Sequence, residues 1–181
     1  PLATSAGEFA FYGCSELTTA VIPNATSIKD HTFHECSSLI TADFPNATSI
    51  GDYAFFNCSR LTTANFPAVT LIDNLAFKGC SELTSVNFPV ATEIVGNAFN
   101  ECSSLATVKF PAVTSIGSTA FVNCSSLTTV DLPVVVSIGY AAFASCTSLT
   151  SLIIRSKTIA TLSDANAIAG STIANGTGYI Y

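Results

Sequence analysis

The sequence predicts an α/β-type solenoid of about seven coils, each 22 residues long, followed by a degenerate C-terminal repeat. Three registers carry this reading. Cysteine recurs at Cys14, Cys36, Cys58, Cys80, Cys102, Cys124 and Cys146, each 22 residues from the last. Proline keeps the same beat from Pro1 through Pro23 and Pro45 to Pro133, and phenylalanine does so from Phe11 through Phe33 and Phe55 to Phe143. Leu17 to Leu149 and Ile28 to Ile138 add two more apolar registers with the same period. Periods of roughly 20 to 50 residues mark solenoids, because one such unit cannot bury its own apolar residues.

Each element of the coil follows from its local pattern, here taken from Cys102 to Asn123. In Leu105 to Phe110, Val108 and Phe110 alternate with Thr107 and Lys109, the period-2 pattern of a half-buried strand. Pro111 ends that strand because it has no N–H to donate. A short extended segment then runs to Ile116, and Gly117, like Gly51 and Gly139 in the same register, offers permissive backbone angles for a turn. In Ala120 to Cys124 the apolar residues fall at i, i+1 and i+4, which predicts one inward-facing helical turn.

Stacking places each apolar residue about 4.8 Å from its equivalents. The core becomes a set of ladders, led by Phe11 to Phe143 and by a second run of Phe44, Phe66, Phe88 and Phe110. Residues 1–154 form the regular solenoid, and 155–181 read as a degenerate terminal repeat or cap. There Arg155 replaces the expected proline, and Asn166-Ala167-Ile168 recovers the Asn97-Ala98-Phe99 pattern after a three-residue insertion. Gly176 to Tyr181 alternates like a closing edge strand. The chain opens on a repeat proline with Phe9 and Phe11 facing a coil that the sequence does not contain, so it reads as a piece of a longer protein.

Composition narrows the function. The chain has 181 residues, 49% of them apolar and 10% charged, with a formal net charge of −6. Its apolar runs are too short for a membrane span, and six scattered basic residues make no nucleic-acid footprint.

The strand L-x-x-V-x-F-P, followed by T-S-I-G-x-x-A-F-x-x-C-x-x-L, resembles the bacterial leucine-rich repeats of the BspA type, also described from treponemes. The likeness covers residues 1 to about 154. It implies a right-handed solenoid with a parallel sheet on its concave side, display on the cell surface, and roles in adhesion or host-protein binding. The sequence departs from the commoner 23-residue period of that family and places Ala20, Ala42 and Ala64 where Val is usual.

Candidate chemistry is sparse. Seven Cys in an exported protein suggest disulfides or metal, but each stands alone, and parallel side-chain vectors hold stacked Cβ atoms about 1 Å beyond the usual disulfide separation. They are expected to be reduced and buried. His31 and His34, with Asp30 and Glu35 beside them, have a spacing that could hold a metal, yet they flank Phe33 and align with the surface residues Tyr53 and Phe56. No metal and no cofactor are expected. Histidine is confined to one coil, and Asp43 and Asp131 lie four coils apart, about 19 Å, so no catalytic constellation forms and no enzyme is expected.

What remains is the solvent face of the strands. Its outward pairs are Thr41 and Asp43, Thr63 and Asn65, Ser85 and Asn87, Thr107 and Lys109, Thr129 and Asp131. The first member stays Thr or Ser while the second varies, as in a scaffold that presents a tailored surface. These ten residues are the expected binding site for an extracellular protein or glycan, on a monomer displayed outside the cell. The alternative is a spacer that projects another domain from the surface. A Thr-rich ice-binding face is disfavoured by the interspersed Asp and Lys.

Overall fold

A 22-residue coil has no long hydrogen-bonded element of its own, so its backbone groups must pair with the coils on either side. The computed structural model describes residues 3–156, 161–162, 165–171 and 179–180, and in it the pairing runs as parallel strands. One row consists of β1 (Thr19–Val21), β2 (Thr41–Asp43), β4 (Thr63–Asn65), β6 (Ser85–Asn87), β8 (Thr107–Lys109), β10 (Thr129–Leu132), β12 (Ser151–Ile154) and β14 (Tyr179–Ile180). The other consists of β3 (Ser49–Ile50), β5 (Leu71–Ile72), β7 (Glu93–Ile94), β9 (Ser115–Ile116), β11 (Ser137–Ile138) and β13 (Thr161–Leu162). Up to β12 partners are 22 residues apart, as in Ala42 with Ala64, Ile50 with Ile72, and Val86 with Val108, whereas Ser137 pairs with Thr161 and Ser151 with Tyr179 across longer intervals. The second row forms one six-stranded sheet; the first divides into β1-β2-β4 and a five-stranded sheet from β6 to β14.

A third wall of turns closes each coil, and here the structure corrects the expected helical turn. Around Phe55 the N–H groups of Tyr53, Phe55 and Asn57 donate forward to the carbonyls of Asn74, Ala76 and Lys78 in the next coil, at 3.1, 2.7 and 2.8 Å. The alternate N–H groups of Ala54, Phe56 and Cys58 bond back three residues within the turn. An α-helix would spend every N–H inside the segment and leave none to bind the neighbouring coil. Alternation demands left-handed residues, and each coil has two: Tyr53 (φ 55) and Asn57 (φ 54), then Leu75 and Gly79, Asn97 and Glu101, Thr119 and Asn123, Ala141 and Ser145. The helical element among the described residues is a 3₁₀ turn at Ala165–Ile168.

The glycines are corrected too. Gly51, Gly117 and Gly139 are absent from the positive-φ positions. A Cβ would lie 2.9 Å from the Asp30 nitrogen at Gly51 and 2.6 Å from the Gly117 carbonyl carbon at Gly139. Lys29, Asp73 and Val95 hold the same register in other coils, so the glycines mark places where adjacent coils have closed in.

Inside the three walls the aromatic ladders form as the period requires. Phe11, Phe33, Phe55, Phe77, Phe99, Phe121 and Phe143 stack with centroids 5.1 to 5.2 Å apart. Phe44, Phe66, Phe88 and Phe110 make the second run, at 5.5, 6.1 and 6.3 Å. The cysteines are all free; six are buried, whereas Cys14 in the first coil is exposed, against expectation. Each buried thiol donates to a phenylalanine carbonyl of the preceding coil, as Cys80 Sγ does to Phe55 O at 3.2 Å. That carbonyl also accepts the Cys58 N–H at 3.2 Å, so both lone pairs are used. Burial pushes the Cys36 thiol up to about 11 and Cys146 up to about 12, and raises Cys58, Cys80, Cys102 and Cys124 as well. These thiols stay neutral and chemically quiet.

His31 and His34 belong to the turn wall rather than to a plain surface. His31 stacks between Phe9 and Tyr53, at 4.7 Å from each, and His34 between Tyr12 and Phe56, again at 4.7 Å. The two imidazoles share a hydrogen bond, Nδ1 to Nδ1, of 3.2 Å. Burial holds the His34 pKa below the usual imidazole range; the Glu35 carboxylate opposes this and His31 adds to it.

In the last coil, Phe143 N bonds Ala167 O, 24 residues on, whereas Phe121 N bonds Ala142 O, 21 residues on, which accommodates the three inserted residues. Of the expected closing strand, Tyr179–Ile180 pairs in parallel with Ser151 and Leu152, while 176–178 and 181 lie outside the described residues.

Phe77 has a phenylalanine on both sides of its ring, so Phe77→Ala should cost about 3–5 kcal/mol in chemical denaturation, and a loss below about 1 kcal/mol would contradict the ladder. His34 favours its neutral form when folded, so its contribution is present above the ordinary imidazole pKa and fades as pH falls below it. His34→Phe, matching Tyr12 and Phe56, should therefore lose less melting temperature than the parent between about pH 7 and pH 5; equal losses would contradict this assignment.

Candidate functional site

Alternation along the first strand row places its outward residues on one face. Ala42, Val86 and Val130 are buried, and Ala64 and Val108 pack against the core. The residues on either side of them point to solvent. Thr63, Asn65, Ser85, Asn87, Thr107, Lys109 and Thr129 are exposed, and Thr41, Asp43 and Asp131 are half-buried. The register joins nine of the ten into two columns, Thr41, Thr63, then Ser85, Thr107, Thr129, and beside them Asp43, Asn65, then Asn87, Lys109; Asp131 continues the second column without a registered partner in β8. β4 and β6 are not registered partners, and β8 pairs with β10 through Thr107 and Thr129 alone.

Several of these groups are already engaged. Asn65 Nδ2 donates to Asp43 Oδ1 at 2.6 Å. Arg155 Nη1 donates to both Asp131 oxygens at 2.8 Å. Arg155 stands in the register that holds proline in the other coils. Yet Ile153 is the partner of Asp131, and the residue two further along a strand shares its face, a signal that could have revealed the pair. Among the described residues the Lys109 ammonium has no ion-pair or hydrogen-bond partner.

Two hollows flank Lys109. One, of about 260 Å³, is lined by Asn87, Val108, Phe110, Pro111, Asp131 and Pro133 together with Lys109 itself. The other, of about 210 Å³, lies among Ser85, Val86, Asn87 and Thr107. They occur where the Phe88 and Phe110 centroids are 6.3 Å apart, wider than the 5.5 Å between Phe44 and Phe66.

Elsewhere, hydroxyls are spent on holding coils together. Thr48, Thr70, Thr92 and Thr114 each donate from Oγ1 to the equivalent threonine carbonyl one coil earlier, at 3.1 to 3.3 Å. Asp30, Asp52 and Asp73 gather near the second strand row, where burial, then Asp73 and Asp30, keep the Asp52 carboxyl above the usual range. Among the described residues no group of three or more His, Cys, Asp or Glu is arranged to hold a metal ion, and no helix is long and apolar enough to cross a membrane.

The family described as BspA type leucine rich repeat region matches residues 4–112 and 70–175, in six copies, one fewer than the seven coils counted from the cysteines. A leucine rich cell surface protein from Faecalibacterium prausnitzii A2-165 is 33% identical, with a TM-score of 0.78 over 86% of this chain. The chain spans 44% of that protein's length. A leucine-rich repeat protein from Bacteroides ovatus is 20% identical over 98% of the chain and 58% of its own, with a TM-score of 0.48. A T. pallidum leucine rich repeat protein is 28% identical over 75% of the chain and 57% of its own, with a TM-score of 0.49. No curated protein matches. The chain belongs to the BspA type leucine-rich repeat family.

Proposed function

We propose that this chain is a binding module displayed outside the cell, and that the outward face of the first strand row contacts an extracellular protein or glycan. The observation that carries the reading is the contrast between the two columns. One stays Thr or Ser, while the other changes from Asp43 through Asn65, Asn87 and Lys109 to Asp131 over a core that stays apolar throughout. A solenoid gains little stability from such exposed groups, so their variation is free to follow a partner. The likeness to a bacterial leucine rich cell surface protein supports the location. The reading assigns the site hydrogen bonding and charge but no bond-making chemistry.

A second reading, a spacer that binds nothing, is favoured by the bonds that Asp43 makes with Asn65 and Asp131 with Arg155, which leave those groups less available. The two separate in a capture experiment against extracellular matrix proteins and a glycan array. The binding reading expects at least one saturable partner, weakened about tenfold or more when Asn65 and Asn87 are both replaced by Ala. No captured partner, or a partner indifferent to that double variant, would contradict it.

A further inference from the structure

We infer that Lys109 is the charged centre of a subsite for a uronic acid, a pyranose sugar that carries one carboxylate. The inference deepens the binding reading above and rests on it. Lys109 is exposed, and its ammonium is unpaired among the described residues. Its neighbours along the column do not neutralise it: Asn87 is uncharged, and Asp131 is held by Arg155.

An exposed lysine is ordinarily just solvated. What sets this one apart is the two hollows it lines, the larger reaching Asp131 and Pro133 where β8 and β10 share a single registered pair, the other lying between β6 and β8. The larger has an apolar floor of Val108, Phe110, Pro111 and Pro133. Ser85, Asn87 and Thr107 border the other with hydroxyl and amide groups. At about 260 Å³ the larger hollow is below the roughly 300–1,000 Å³ of a drug-sized cleft, which matches one sugar ring rather than a long ligand.

The three kinds of surface fit three faces of one ligand. The ammonium takes the carboxylate, the proline rings and Val108 take the C–H face of the pyranose, and the hydroxyl and amide groups take its hydroxyls. A single anionic charge fits better than a run of them, because the chain carries a net −6 and Asp131 lines the same hollow. An acidic peptide would satisfy Lys109 alone and leave the apolar floor and the hydroxyl border without matching groups.

The test is a titration of ¹⁵N-labelled protein with glucuronate and galacturonate, followed through backbone amide shifts. Neutral glucose and galactose and the peptide Gly-Glu-Gly serve as comparison ligands. The expected result is saturable shifts at Asn87, Thr107, Val108 and Lys109 with a uronate, with affinity on the order of a millimolar. Binding should be at least about tenfold weaker for the neutral sugars and in Lys109→Gln, and kept in Lys109→Arg. Because the side chain is exposed, both variants should melt as the parent does. Absence of saturable shifts, equal uronate binding by Lys109→Gln, or tighter binding of the peptide would overturn the assignment. A chain that captures a partner through Asn65 and Asn87 yet ignores uronates overturns this subsite alone. A chain that does neither overturns the binding reading with it.

Discussion

Hydrogen bonding along the solenoid axis is the constraint on which this structure rests. The strands are two to four residues long, far too short to stand alone, so each coil's backbone is satisfied by the coils before and after it. That requirement fixes the period. Equivalent residues must recur every 22 positions so that Ile50 meets Ile72 and Ser115 meets Ser137; a slip of one residue would turn every inward side chain outward. The same requirement shapes the turn wall, where the N–H groups of Phe33, Phe55, Phe77, Phe99 and Phe121 are committed forward at 2.7 to 2.8 Å.

Packing and polarity then follow one rule, that like stacks on like. Phenylalanine rings repeat at 5.1 to 5.2 Å, a thiol donates to the phenylalanine carbonyl of the preceding coil, and surface threonines donate to the threonine carbonyl one coil earlier. These side-chain bonds reinforce the backbone ladder at little entropic cost, because neighbouring coils already hold the groups in place. The cost appears at the left-handed positions, where Leu75, Thr119 and Ala141 adopt a conformation better suited to glycine. That they do so shows how strongly the neighbouring coils determine the backbone.

The parts of the fold legible in the sequence are those in which residue type and environment correspond. Phe, Leu, Ile and Cys at fixed spacing can only be a shared core, and the outward Thr107 and Lys109 follow from alternation with Val108. The turn wall is not legible in this way, because apolar spacing is nearly the same for a helical turn and for a bend with two left-handed residues. Asn57, Gly79 and Asn123 hinted at the bend, but Leu75 and Thr119 in equivalent coils did not. Gly51 and Gly139 misled because glycine serves close approach as readily as unusual angles. In the candidate site, the ten outward positions are readable from alternation, and so is the pairing of Arg155 with Asp131 once β10 and β12 are set in register, whereas the hollows beside Lys109 depend on how neighbouring coils pack.

The surface reading inherits its geometry from the ladder, since only equivalent rungs bring Asn65, Asn87 and Lys109 onto one face. The most direct measurement of that premise is excision of residues 60–81, one full period, followed by thermal melting and amide hydrogen exchange. If coils are interchangeable rungs, Ser59 joins Glu82 in register, and the Phe55 amide passes from the Ala76 carbonyl to that of Ala98. The account predicts a single cooperative melt and a Phe55 amide that stays protected. A shortened chain with no cooperative melt, or with a freely exchanging Phe55 amide, would contradict it.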